Sequence, residues 1–67
     1  MSKFKQEAVH AMQYMSAFTA ASTTIGAGAV NYWLENHSDT IFLHGQLRRV
    51  KFTMITPEAY KLTTEAI

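Results

Sequence analysis

Sixty-seven residues with a hydrophobic share of 48% and a charged share of 16% suffice for one small domain and exclude a chain too polar to fold. A formal net charge of +1 argues against strong sequence-independent attraction to phosphate, so any nucleic-acid contact has to draw more on placed residues. The absence of cysteine excludes disulfides and thiolate zinc sites, and fits a reducing compartment.

The chain opens without a basic stretch leading into an apolar one, which argues against a secretory signal. Between Ala8 and Leu34 there is no Asp, Glu, Lys or Arg, a length that would span a bilayer. Gln13, Ser16, Thr19, Ser22, Thr23 and Thr24 interrupt it, however, and polar side chains at that density oppose membrane insertion. The expectation is a cytoplasmic protein with no membrane partner.

In chain order, Lys3 to Met15 places Phe4, Ala8, Ala11, Met12 and Met15 on one helical face, with Ser2 available as a cap. The Ser/Thr/Ala-rich stretch from Ser16 to Thr24 leaves room for a brief second helix, capped by Thr19 and burying Phe18, Ala21 and Ile25. Gly26-Ala27-Gly28-Ala29 is the expected turn or close crossing between helices. Val30, Trp33 and Leu34, spaced i, i+3 and i+4, predict the inward face of a third helix ending near Asn36. The pattern then changes to period two: a strand at Thr40 to His44, a Gly45-Gln46 connection, and a second strand in which Val50, Phe52 and Met54 alternate with Lys51, Thr53 and Ile55. Thr56-Pro57-Glu58 has the form of a helix start, with a hydroxyl cap, Pro at the first position and an acid in the first turn. It predicts a short closing helix through Tyr60 and Leu62.

The order helix, short helix, helix, hairpin, helix resembles the winged helix-turn-helix superfamily over nearly the whole chain. Phe18 to Thr24 correspond to the second helix, Ile25, Val30 and Leu34 to the apolar positions of a recognition helix, and Phe52 to Leu62 to a strand running into a closing helix. The resemblance implies an α+β fold in a single domain over residues 1–67: three helices, a two-stranded hairpin wing and a short C-terminal helix. It also implies sequence-directed binding of double-stranded DNA in transcriptional regulation, and the small size without an effector domain is that of a phage or other mobile-element product; the short core, which a dimer interface would supplement, gives the expectation of a homodimer. Thr24 stands where many members carry glycine, and the expected recognition helix holds no Lys or Arg.

In such a domain the third helix enters the major groove and the wing touches the backbone. The outward positions Asn31, Tyr32 and Glu35 are the expected base or phosphate contacts, because amide and carboxylate side chains read base edges. Arg48, Arg49 and Lys51, half of the six basic residues, are the expected phosphate contacts at or beside the hairpin tip. The alternative is a protein-binding module that inhibits a host transcription factor or RNA polymerase, with Tyr32 and Trp33 as anchors. His10, His37 and His44 lack metal-ligand spacing, and no nucleophile, base and orienting acid come together in the sequence. Neither a metal, a cofactor nor an enzymatic activity is expected.

Overall fold

A computed structural model describes residues 3–15 and 21–67. Among these residues the order is α1 (Lys3–Tyr14), β1 (Ser22–Gly26), α2 (Ala27–Asn36), β2 (Thr40–Leu43), β3 (Gln46–Thr56) and β4 (Ala59–Ala66). The strands form one antiparallel sheet in the order β1-β4-β3-β2. The expected class α+β is right and the expected architecture is not. Among the described residues two helices lie against a four-stranded sheet, in place of three helices, a two-stranded wing and a closing helix.

α1 obeys the sequence pattern. Ala8, Met12 and Met15 are buried, and Phe4, at the exposed first turn, lies beside Gly28 in the first turn of α2. A Cβ at Gly28 would sit 2.5 Å from the Phe4 ring, so the missing side chain is what lets the two helix starts approach. The second predicted helix fails where it can be assessed: Ser22 to Ile25 pair with Thr63 to Tyr60 as an edge strand. Thr23, Thr24 and Ile25 are β-branched, and in a stretch this short that preference outweighs an ambiguous apolar spacing. Phe18 and Thr19 lie outside the described residues.

α2 starts directly from β1. Its N-cap, Gly26, supplies no side-chain bond, and the orphan N–H of Ala27 donates instead to the Glu58 carbonyl at 3.0 Å. Tertiary structure thus satisfies what a Ser or Asp cap would have. Val30 and Trp33 are buried as expected, but Leu34 is 63% exposed, and Ala29 takes the third inward position. The helix ends with the His37 N–H donating to Trp33 O and the Trp33 indole donating to Ser38 O at 3.0 Å.

The predicted closing helix is a strand. Thr56 pairs with Ala59 around Pro57 and Glu58, and residues 59–66 run back along β3. The Thr-Pro-Glu sequence that opens helices also suits a turn, since proline presets φ for the first central position of either. Beyond the turn, Tyr60, Leu62 and Thr64 alternate with Lys61, Thr63 and Glu65 at period two, and Leu62 at the centre is fully buried.

The β2–β3 hairpin is the element most faithful to its prediction. Its turn is His44-Gly45, one residue before the expected Gly45-Gln46 connection, with φ of +50° and +80°, a left-handed pair that matches the twist of the flanking strands. Gly45→Ala is expected to lower stability by about 1 kcal/mol, although its Cβ would meet open space; a melting temperature unchanged from wild type would mean that the turn relaxes. One layer of helices and one of sheet enclose a core of Met12, Met15, Ile25, Val30, Trp33, Leu43, Val50 and Leu62. The other face of the sheet is left uncovered by the described residues.

Candidate nucleic-acid interface

Alternation fixes which residues reach the uncovered face. Val50 and Leu62 point into the core, so the odd-numbered residues of β3 and β4 point away from it. The registers then arrange them in rows across the sheet. Phe42 lies opposite Leu47, and Ile67 joins them, its N–H donating to Leu47 O at 3.5 Å. The next row holds Thr40, Arg49 and Glu65, the one after it Lys51, Thr63 and Ser22, and the next Thr53, Lys61 and Thr24. Successive rows stand about 7 Å apart, two residues along a strand.

The face is therefore amphipathic along the strand direction. Phe42, Leu47 and Ile67 are 70%, 50% and 65% exposed and form an apolar row at one end. Three cations, Arg49, Lys51 and Lys61, occupy the next three rows. Arg49 lies 3.8 Å from Asp39 and Lys51 3.2 Å from Glu65, with all four side chains about half exposed or more. Exposed pairs of this kind contribute about 0–1 kcal/mol, so an anionic ligand can take the cation over at little cost. Lys61 enters no ion pair among the described residues.

The six residues expected to bind DNA fall into three places. Arg49 and Lys51 are on the uncovered sheet face. Arg48, next to Arg49 in the chain, points to the helix side, donating from Nε to Thr64 Oγ1 at 2.9 Å, from one terminal nitrogen to Thr64 O at 3.2 Å and from the other to Gln46 Oε1 at 3.0 Å. All three lie beside the tip and not in it, within β3, where Arg48 and Arg49 oppose Ile41 and Thr40. Asn31 and Glu35 are exposed on α2, in the layer on the opposite side of the sheet. Tyr32 is half-buried, with its ring 5.8 Å from that of His37. No one ligand surface joins α2 to the cations of β3.

Arg48→Ala is accordingly expected to act on folding: its three hydrogen bonds hold β3 to β4 and to Gln46, and their loss should cost about 1–2 kcal/mol. Nucleic-acid affinity should stay within about twofold of wild type, because Arg48 does not reach the open face; a large loss of affinity in a folded variant would contradict this placement.

Phe42, Leu47, Lys61 and Ile67 do not stand out in the sequence. Lys61 and Ile67 are hidden there by the helix expected after Pro57, and the alternation of residues 59–66 is the signal that points to Lys61. Among the described residues no group of three His, Asp or Glu could hold a metal ion, and no helix is long and apolar enough to cross a membrane. Comparison of the chain with protein-family models, with curated proteins and with solved structures gives no match.

Proposed function

We propose that the chain binds single-stranded nucleic acid on the uncovered face of its sheet. The observation that carries this reading is the placement of an exposed aromatic, Phe42, and three cations, Arg49, Lys51 and Lys61, on one open surface in adjoining rows. Unpaired bases expose π-faces that stack on aromatic side chains for about 1–3 kcal/mol each, while a cationic track runs along the phosphates. Duplex DNA hides its bases from such a platform. The expected third helix and hairpin form, but β1 replaces the second helix before α2 and the hairpin belongs to a four-stranded sheet, so the nucleic-acid reading moves to the sheet and to unpaired strands.

The test is fluorescence anisotropy with labelled oligothymidine, the matching RNA and a duplex of the same length, at several salt concentrations. Single strands are expected to bind more tightly than the duplex, with a log–log salt slope near −2, from about 0.7 per phosphate for three contacts. The second reading, a protein-binding surface, draws support from the Phe42, Leu47 and Ile67 row, since exposed apolar patches with a polar rim mark protein contacts. It takes precedence if no oligonucleotide shows salt-dependent binding.

A further inference from the structure

The sheet has an uncovered edge partway along β3. β2 pairs with only its first residues, Gln46 to Arg49. The last bond on that side is from Val50 N–H to Asp39 O at 2.7 Å. Backbone groups alternate in direction along a strand. Because the Val50 N–H points toward the β2 side and the Leu47 carbonyl toward Ile67, just past the end of β4, the N–H and C=O of Phe52 and Met54 point to the β2 side. No residue of β2 reaches them there, and among the described residues no hydrogen bond is made to them from that direction. Lys51 and Thr53, pointing the other way, are paired with Thr63 and Lys61 of β4.

We propose that this edge, Lys51 to Ile55, pairs antiparallel with the same edge of a second copy, making the protein a two-fold dimer. One register satisfies the N–H and C=O groups of both Phe52 and Met54 at once. With Thr53 opposite Thr53 of the second copy, Phe52 exchanges two hydrogen bonds with the second copy's Met54, and Met54 exchanges two with its Phe52. Four bonds use two N–H and two C=O groups from each chain. Shifting the two-fold axis to Phe52 would set Val50, whose N–H is already bonded to Asp39, against Met54. Shifting it to Met54 would set Phe52 against Thr56, beyond the register irregularity between Met54 and Thr56.

The side chains agree with the same register. On the helix side, the half-buried Phe52 meets Met54 of the second copy, twice over. Met54 is 59% exposed in the single chain, so pairing covers apolar surface that the monomer leaves in water. On the other face the axis residue is Thr53, so Lys51 never falls opposite a second lysine, which keeps like charges apart. The bonds of this contact come from the backbone of the strand edge, whereas the proposed ligand meets side chains of the sheet face.

The test uses the whole chain, which has no cysteine of its own. Thr53→Cys places two thiols at a non-hydrogen-bonded antiparallel pair, where the Cα separation of about 4.5 Å lies within disulfide reach. Mild oxidation is expected to give a covalent dimer in high yield, whereas Lys61→Cys, on the same face but away from the edge, gives little. Sedimentation of the wild type should show a concentration-dependent dimer. Met54→Pro removes one edge-facing N–H per chain at a position where proline is tolerated, and should weaken the dimer on the order of 30-fold through two lost hydrogen bonds. A strictly monomeric wild type, equal cross-linking of the two cysteine variants, or a folded Met54→Pro that dimerises like wild type would each overturn the proposal.

Discussion

Trp33→Ala is expected to unfold the domain. The side chain is almost wholly buried between α2 and the sheet, stacks on His37 with ring centroids 4.2 Å apart, and donates to the Ser38 carbonyl. Truncating a buried Trp to Ala costs about 3–5 kcal/mol. A domain of 67 residues, at roughly 0.05–0.15 kcal/mol per residue, has only about 3–10 kcal/mol in all. The Ser38 carbonyl also loses its partner just where the chain leaves α2 for β2, which loosens the entry to the hairpin. Circular dichroism should show no cooperative melt above room temperature. Leu34→Ala, one residue on but mostly exposed, should melt near the wild-type temperature. If Trp33→Ala retained the wild-type melt, the side chain would not be part of the core.

The combined variant Arg49→Glu, Lys51→Glu and Lys61→Glu is expected to lose nearly all affinity for oligothymidine, on the order of 100-fold or more at low salt. Three reversals of two units each take the net charge from +1 to −5, so a control is needed for net charge alone. Lys3→Glu with Lys5→Glu supplies it, since α1 lies on the helix side of the sheet and its reversal lowers the charge without touching the uncovered face. Affinity in that control should fall by less than about tenfold at moderate salt, where long-range attraction is screened. Equal losses in the two variants would show that overall charge, and not the three cations of the sheet, governs the interaction.

The legible and illegible parts of the fold divide along physical lines. α1 and the β2–β3 hairpin are specified locally, by an apolar face repeating through Ala8, Met12 and Met15 and by strict alternation around His44-Gly45. β1 and β4 are specified by each other. Ser22 to Gly26 is too short and too polar to announce a strand, and it becomes one because the fully buried Leu62 draws β4 beside it, with Thr23 paired to Leu62 and Ile25 to Tyr60. Residues 59–66 pass for a helix in the sequence because Pro57 and Glu58 carry the same local chemistry in a turn as in a helix start, and the choice between them is made over the next eight residues.

The candidate site is legible only in part for the same reason. Arg49 and Lys51 are recognisable as a cationic pair, but placing Arg48 on the opposite side of the sheet requires the strand period to be applied residue by residue. Recognising Lys61 and Ile67 as their neighbours requires knowing that β4, and not a helix, lies beside β3. Phe42 escapes notice because alternation by itself does not say which of Ile41 and Phe42 faces water, and the register with Leu47 and Arg48 does.

Amide chemical-shift mapping of the isotopically labelled protein, titrated with oligothymidine, tests the sheet-face assignment most directly. The largest shifts are expected at Phe42, Leu47, Arg49, Lys51, Thr63 and Lys61, in the rows of the uncovered face, with Asn31 and Glu35 of α2 unmoved. Perturbation centred on α2, or no perturbation at saturating oligonucleotide, would contradict the assignment of nucleic-acid binding to the sheet.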